Sequence, residues 1–112
     1  MTTERTVKFL QEGVEREDPK VVCTEGYFLI QPEVEEAKQE FMEFAASDEE
    51  SGPQLILLNR QRICAINGDQ FKFKKGDTVY IQEVGRPDAE MVINDISYFA
   101  YRVGRVICFE TK

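Results

Sequence analysis

Residues 67–84 constrain the fold more than any other part of the chain. The Asn-Gly pair at 67–68 and the Gly-Asp pair at 76–77 are turn signals, and they enclose a short segment that contains Phe71 and Phe73. A run of residues that favour β-structure follows up to Val84. This pattern is typical of a small antiparallel barrel with lysines outside and aromatics inside. Such barrels usually bind other molecules, and few catalyse reactions alone.

The second half of the chain, residues 53–112, is therefore predicted to be the barrel-like part of a single domain. We expect five or six strands, and the runs that favour β-structure lie near 54–58, 62–66, 70–74, 78–84, 90–96 and 103–110. Gly85-Arg86-Pro87-Asp88 is a strong turn signal between two of them.

The first half, residues 1–52, is predicted to be an acidic part made of helices and a hairpin. Thr2 or Thr3 is a candidate cap for a short helix that ends near Glu12. The segments 21–23 and 27–30 are predicted to pair as a hairpin. Proline is favoured at the start of a helix, so Pro32 is expected to open an amphipathic helix over 33–46. Its apolar face comprises Val34, Ala37, Phe41, Phe44 and Ala45. The predicted fold class is α+β, with this helix packed on the barrel.

Composition limits the classes of function. The chain has 112 residues and no histidine, so it lacks the commonest general base and metal ligand. Three widely spaced cysteines do not form a disulfide framework or a zinc site. We therefore expect a non-catalytic protein with no cofactor and no metal. The absence of a membrane-length apolar run and of a secretory signal predicts an intracellular protein, nuclear or cytoplasmic, with no membrane partner.

Charge is distributed unevenly along the chain. Residues 1–58 carry 5 basic and 14 acidic side chains, whereas residues 59–112 carry 9 basic and 7 acidic ones. A local basic face is predicted at Arg60, Arg62, Lys72 and Lys74. Two interpretations stay open for it: contact with a phosphate or an acidic partner, or protection of an exposed strand against edge pairing.

Aromatic residues of the second half are the other candidate site. Aromatic rings beside a carboxylate can form a cage for a methylated ammonium group, because ring faces attract cations. The candidate pocket consists of Tyr80, Tyr98, Phe109 and Asp95. The alternative is that most of these rings belong to the core.

Two stretches resemble a known family. Residues 65–81, with the run Gly76-Asp77-Thr78-Val79-Tyr80, are similar to the opening of a bromo-adjacent homology (BAH) domain. Residues 101–110 are similar to that family's next strand. The resemblance implies a chromatin-associated module that contacts histone tails or nucleosomes, with Tyr80 and Phe109 at positions where the family can place cage aromatics.

A second resemblance covers the end of the chain. Residues 73–83, 91–99 and 104–109 are similar to the ASCH domains of the PUA-like barrels. This resemblance implies binding of RNA or a nucleotide, with the basic face as candidate phosphate contacts. The favoured hypothesis is a protein-interaction module with a protein partner, and the alternative is an RNA or nucleotide binder.

Overall fold

The computed structural model describes residues 3–39, 54–67 and 72–110. Within these ranges the chain forms nine strands and one turn of 3₁₀ helix at Val103–Arg105. The strands, in chain order, are β1 (Thr3–Phe9), β2 (Tyr27–Ile30), β3 (Glu33–Gln39), β4 (Gln54–Leu57), β5 (Arg60–Ile66), β6 (Thr78–Ile81), β7 (Ala89–Ile93), β8 (Ile96–Arg102) and β9 (Val106–Phe109).

The strands form two antiparallel sheets. The smaller sheet has the order β1-β3-β4, and the larger has the order β7-β8-β2-β5-β6-β9. A six-stranded sheet in this order has two edges, β7 and β9. Of its four interior strands, β2, β5 and β8 carry most of the buried residues, as expected for strands that are covered on both faces.

Each face of the six-stranded sheet has its own hydrophobic cluster. One cluster centres on Phe28, Ile63 and Tyr101, and its aromatic rings pack at centroid distances of 5.9 Å for Phe28–Tyr101 and 6.3 Å for Phe28–Phe73. The other centres on Leu29 and Tyr98. Phe28 and Leu29 are consecutive residues of β2, so the two-residue period of the strand sends them to opposite faces.

The two sheets are joined by one bent ribbon. β2 continues into β3 across Gln31-Pro32, and β4 continues into β5 across Leu58-Asn59. At this corner the Gln61 amide, which is 1% exposed, donates to the carbonyls of Glu33 (2.9 Å) and Leu58 (2.8 Å). Its oxygen accepts the Glu33 N–H at 3.0 Å. The Gln61 side chain thus satisfies backbone groups that the bend removes from the ladder.

Both helix predictions are wrong within the described residues. The segment predicted as an N-terminal helix up to Glu12 contains β1, and residues 33–39 of the predicted helix 33–46 form β3, which pairs with β1 and β4. Good helix formers such as Glu and Ala carry only a weak local preference, and pairing on both sides overrides it. Phe41, Phe44 and Ala45 of the predicted helical face lie outside the described residues.

The closed barrel is also wrong, because β7 and β9 are not paired in the described residues and the sheet stays open. The predicted α+β class is thereby replaced by an architecture of two open antiparallel sheets. The predicted hairpin is wrong in its first arm: β2 pairs with β5 and β8, and residues 21–23 form no strand.

The strand predictions are partly confirmed. β4, β5, β6, β7 and β9 fall within or overlap the predicted ranges. Residues 72–74 of the predicted strand 70–74 are not a strand, and the rest of it lies outside the described residues. The sequence analysis assigned no separate strand to Ile96–Arg102, which is β8.

Candidate functional site

The candidate site is the edge of the six-stranded sheet formed by β7. β7 pairs with β8 through Ala89↔Ala100 to Ile93↔Ile96, and within the described residues no strand pairs with its outer side. Four of its five residues are exposed. An edge of this kind presents unpaired backbone N–H and C=O groups to whatever lies beside it.

Two anchors hold β7 against β8. At one end, Asn94 and Asp95 form the connection to β8 with φ values of 52° and 67°. Positive φ at both central residues is what a two-residue type I′ hairpin requires. At the other end, the Asp88 carboxylate accepts the backbone N–H of Arg102 at 2.8 Å and a guanidinium N–H of Arg105 at 3.4 Å.

One face of the β7 edge carries a cleft of about 440 Å³, which we call the front cleft. Glu90, Met91 and Val92 of β7 line it together with Ser97 and Phe99 of β8. The segment after β1 forms its wall, and the Gln11 side chain fixes that wall: its amide donates to the Asp95 carbonyl at 2.8 Å and accepts the Ser97 N–H at 2.7 Å.

The opposite face carries a second cleft of about 500 Å³, which we call the rear cleft. Ala89, Met91 and Ile93 of β7 line it together with Ala100 and Arg102 of β8, and the segment 21–24 forms its wall. The Arg102 guanidinium lies 5.9 Å from the centroid of the Tyr27 ring. Glu90 and Val92 thus line the front cleft and Ala89 and Ile93 the rear cleft, because strand residues alternate between faces, and Met91 lines both.

Two residues of the predicted pocket, Tyr98 and Asp95, lie in the β7–β8 hairpin: Tyr98 in β8 and Asp95 in the turn. Tyr98 is 1% exposed in the cluster around Leu29, and its hydroxyl donates to the Glu17 carbonyl at 2.7 Å. Burial raises the pKa of Tyr98. Asp95 is an exposed residue of the β7–β8 turn. Neither residue lines the front or the rear cleft.

The other two lie on β6 and β9, at the far side of the sheet. Phe109 is the partner of Val79 and packs on Phe73 with ring centroids 5.7 Å apart, on the core side. Tyr80 is the partner of Cys108 on the outer side, where its hydroxyl donates to Glu110 Oε2 at 2.9 Å. The structure thus does not bring the four predicted pocket residues together.

The predicted basic face is in part paired with carboxylates. Arg60 forms two hydrogen bonds with Glu110, the shorter one 2.6 Å, and Arg62 forms two with Asp18, the shorter one 2.8 Å. The hydrogen bond from Arg62 lowers the pKa of Asp18, and the one from Arg60 lowers the pKa of Glu110. Lys72 and Lys74 are exposed. Arg60 and Arg62 point to the same face of β5, since they are two residues apart.

Within the described residues, the cysteine, aspartate and glutamate side chains form no cluster of three that could hold a metal ion. Burial raises the pKa of the Cys64 thiol to about 12, so Cys64 is a thiol at neutral pH and not a nucleophilic thiolate. None of the helical structure in the described ranges is long and apolar enough to cross a membrane.

Comparison of the chain with protein-family models, with curated proteins and with solved structures found no match. The BAH and ASCH resemblances therefore stay predictions.

The sequence analysis did not single out the β7 residues as a site. It did predict a strand near 90–96, and Glu90, Met91 and Val92 combine one charge with two large apolar side chains in that run. What marks β7 as an edge strand is the exposure of Val92, and this exposure cannot be read from the sequence because it depends on the fold.

Proposed function

We propose that this protein is a non-catalytic protein-interaction module that takes an extended segment of a partner protein as an additional strand along β7. The observation that carries this proposal is the position of the front and rear clefts, on opposite faces of an edge strand whose outer side pairs with no described strand. A cleft on one face alone would suit a small molecule as well as a peptide.

Strand addition uses both features of this edge. The main chain of the added segment forms hydrogen bonds with the outer N–H and C=O groups of β7, which supply affinity. Its side chains alternate between the two faces, so that successive residues enter the front and the rear cleft and supply specificity. Binding would also cover Val92, which is 67% exposed, and Met91. Burial of such apolar surface favours association.

The RNA or nucleotide alternative has less support from the geometry. Two of its four candidate phosphate contacts, Arg60 and Arg62, are already paired with Glu110 and Asp18. The net charge of −7 opposes a phosphate backbone, whose affinity for proteins depends on clustered cations. The chromatin-linked interpretation is a special case of peptide binding, and histone-tail peptides test it directly.

The first experiment is a selection of random dodecapeptides displayed on phage against the wild-type chain, followed by binding measurements on two variants. Val92→Lys places a charge at the β7 edge. Ile107→Lys is the matched control, because it places the same charge on the other edge strand, β9. Ile107 is 66% exposed and Val92 is 67% exposed. We expect Val92→Lys to lower the affinity for the enriched peptides by about tenfold or more, because lysine on an edge strand opposes pairing. Ile107→Lys should change their affinity by less than about twofold.

Two results would contradict the proposal: a selection that enriches no peptide, or equal losses in the two variants. Histone-tail peptides and single-stranded RNA are measured in parallel over a range of salt concentrations. RNA binding that weakens steeply with salt and tolerates Val92→Lys would favour the nucleic-acid alternative. Circular dichroism of both variants verifies that they keep the wild-type fold.

A further inference from the structure

Glu90 gives the front cleft a defined charge. It is an exposed residue of β7, its side chain lies on the floor of this cleft beside Phe99, and it forms no ion pair within the described residues. Among the described residues that line the cleft it is the one charged residue, and the others are neutral. A side chain that enters the front cleft next to β7 therefore meets an unpaired carboxylate on an apolar floor.

The rear cleft is charged at one end of β7 and apolar along the rest of the strand. Ala89, Met91 and Ile93 line it with apolar groups, and the charges of this cleft lie at its Ala89 end. There Asp88 is already bonded to Arg105, and Arg102 is stacked against Tyr27. Next to Met91 the rear cleft thus presents an apolar surface.

Conditional on the function proposed above, we propose that the partner is a basic extended segment with a defined alternation. A lysine or arginine lies beside Glu90 in the front cleft, an aliphatic side chain beside Met91 enters the rear cleft, and a second aliphatic residue lies beside Val92. The pattern is one basic residue followed or preceded by two aliphatic residues. The direction of the added strand decides which order applies.

Charge complementarity supports this choice at two ranges. Opposite charges directly across a strand pair stabilise the pairing, and like charges destabilise it, so an acidic residue next to Glu90 is disfavoured. At longer range, the net charge of −7 attracts a basic segment and speeds its association at low salt. The long aliphatic stems of lysine and arginine can also lie on the apolar floor formed by Phe99 while the charged group stays in water.

The test compares peptide selections against three proteins, with the same random dodecapeptide library on phage. Wild type should enrich peptides in which lysine or arginine lies next to a pair of aliphatic residues. Glu90→Lys should enrich peptides in which aspartate or glutamate takes the place of that basic residue. Glu83→Lys is the matched control: it makes the same change in net charge at an exposed residue outside both clefts, and it should enrich the wild-type pattern.

A quantitative step follows on one enriched peptide made by synthesis. Replacement of its basic residue by glutamine should weaken binding to wild type by about two- to fivefold, and should have almost no effect on binding to Glu90→Gln. The difference should shrink at high salt, because exposed charges are screened.

The outcomes separate the two proposals. Peptides that depend on Val92 but show no basic preference, or a preference that Glu90→Lys leaves unchanged, would overturn this inference and leave strand addition standing. A selection without any β7-dependent peptide would overturn both.

Discussion

At the scale of single residues, two buried glutamines hydrogen-bond to main-chain groups at or near the bend of the ribbon. Gln61 bonds across the corner as described, and the Gln31 side chain donates to the Glu15 carbonyl and accepts the Glu17 N–H, both at 2.9 Å. Buried polar groups are tolerated where each is hydrogen-bonded, and no buried side-chain nitrogen or oxygen in the described residues lacks a partner. The Gln61 amide thus provides partners for main-chain groups of the corner, and the Gln31 amide ties the segment 15–17 to the start of β3.

Gln61→Ala should destabilise the fold by about 2–3 kcal/mol, because it removes the side-chain partners of the Glu33 N–H and the Leu58 carbonyl and creates a small cavity, while the Glu33 carbonyl still accepts the Leu58 N–H. Urea unfolding followed by circular dichroism measures the change. Gln82→Ala, at an exposed position, is the control and should stay within about 0.5 kcal/mol of wild type. Equal stabilities of the two variants would show that Gln61 does not support the corner.

At the scale of elements, the β7–β8 hairpin positions the candidate site. The turn of this hairpin accounts for the role of Asp95, a residue that was predicted to belong to a binding pocket. Asparagine and aspartate adopt positive φ more readily than other side chains, so Asn94-Asp95 can close a two-residue connection between Ile93 and Ile96. The contribution of Asp95 that the structure shows is thus conformational.

Asp95→Gly should stabilise the protein by about 0.5 kcal/mol, since glycine adopts positive φ at the second turn position without a steric cost and Asn-Gly is the preferred pair there. The bond from Gln11 is retained, because it is made to the Asp95 main-chain carbonyl. Thermal unfolding measures the shift.

The opposite change serves as the comparison. Gly76 has a φ of 95°, so Gly76→Ala should lower stability by about 1 kcal/mol. A loss of stability in Asp95→Gly as well would mean that the Asp95 side chain itself contributes a favourable interaction.

At the scale of the whole molecule, the two sheets differ in how much core they hold. Both hydrophobic clusters centre on the six-stranded sheet. In the three-stranded sheet, Val34 is buried, whereas Val7, Leu55 and Ile56 are exposed. A sheet with few buried contacts opens at a lower free energy than the sheet that carries the core.

We therefore expect amide hydrogens of β1 and β4 to exchange faster than those of β5 and β8 in native-state hydrogen exchange. The free energies of opening should differ by about 1–3 kcal/mol, because among the described residues of the smaller sheet only Leu57 packs against a hydrophobic cluster. Equal protection in both sheets would contradict this, and would indicate that the bent ribbon unfolds as one cooperative unit.

Local sequence patterns were sufficient for part of the fold. Two-residue alternation and turn residues located β4, β5, β6, β7 and β9, because strand period and turn conformation are properties of neighbouring residues. The same patterns failed at 33–39, where helix-forming residues lie between two strands that come from distant parts of the chain. They also failed at residues 21–23, whose predicted strand partner pairs elsewhere.

The candidate site shows the same division. From the sequence alone came the absence of histidine, the acidic net charge and the existence of a strand near Glu90. The tertiary structure was needed to show that, within the described residues, this strand lies at an open edge with a cleft on each face, that Tyr98 is buried, and that Arg60 and Arg62 are paired with carboxylates. These facts depend on long-range pairing and on burial, and neither is encoded in the spacing of adjacent residues.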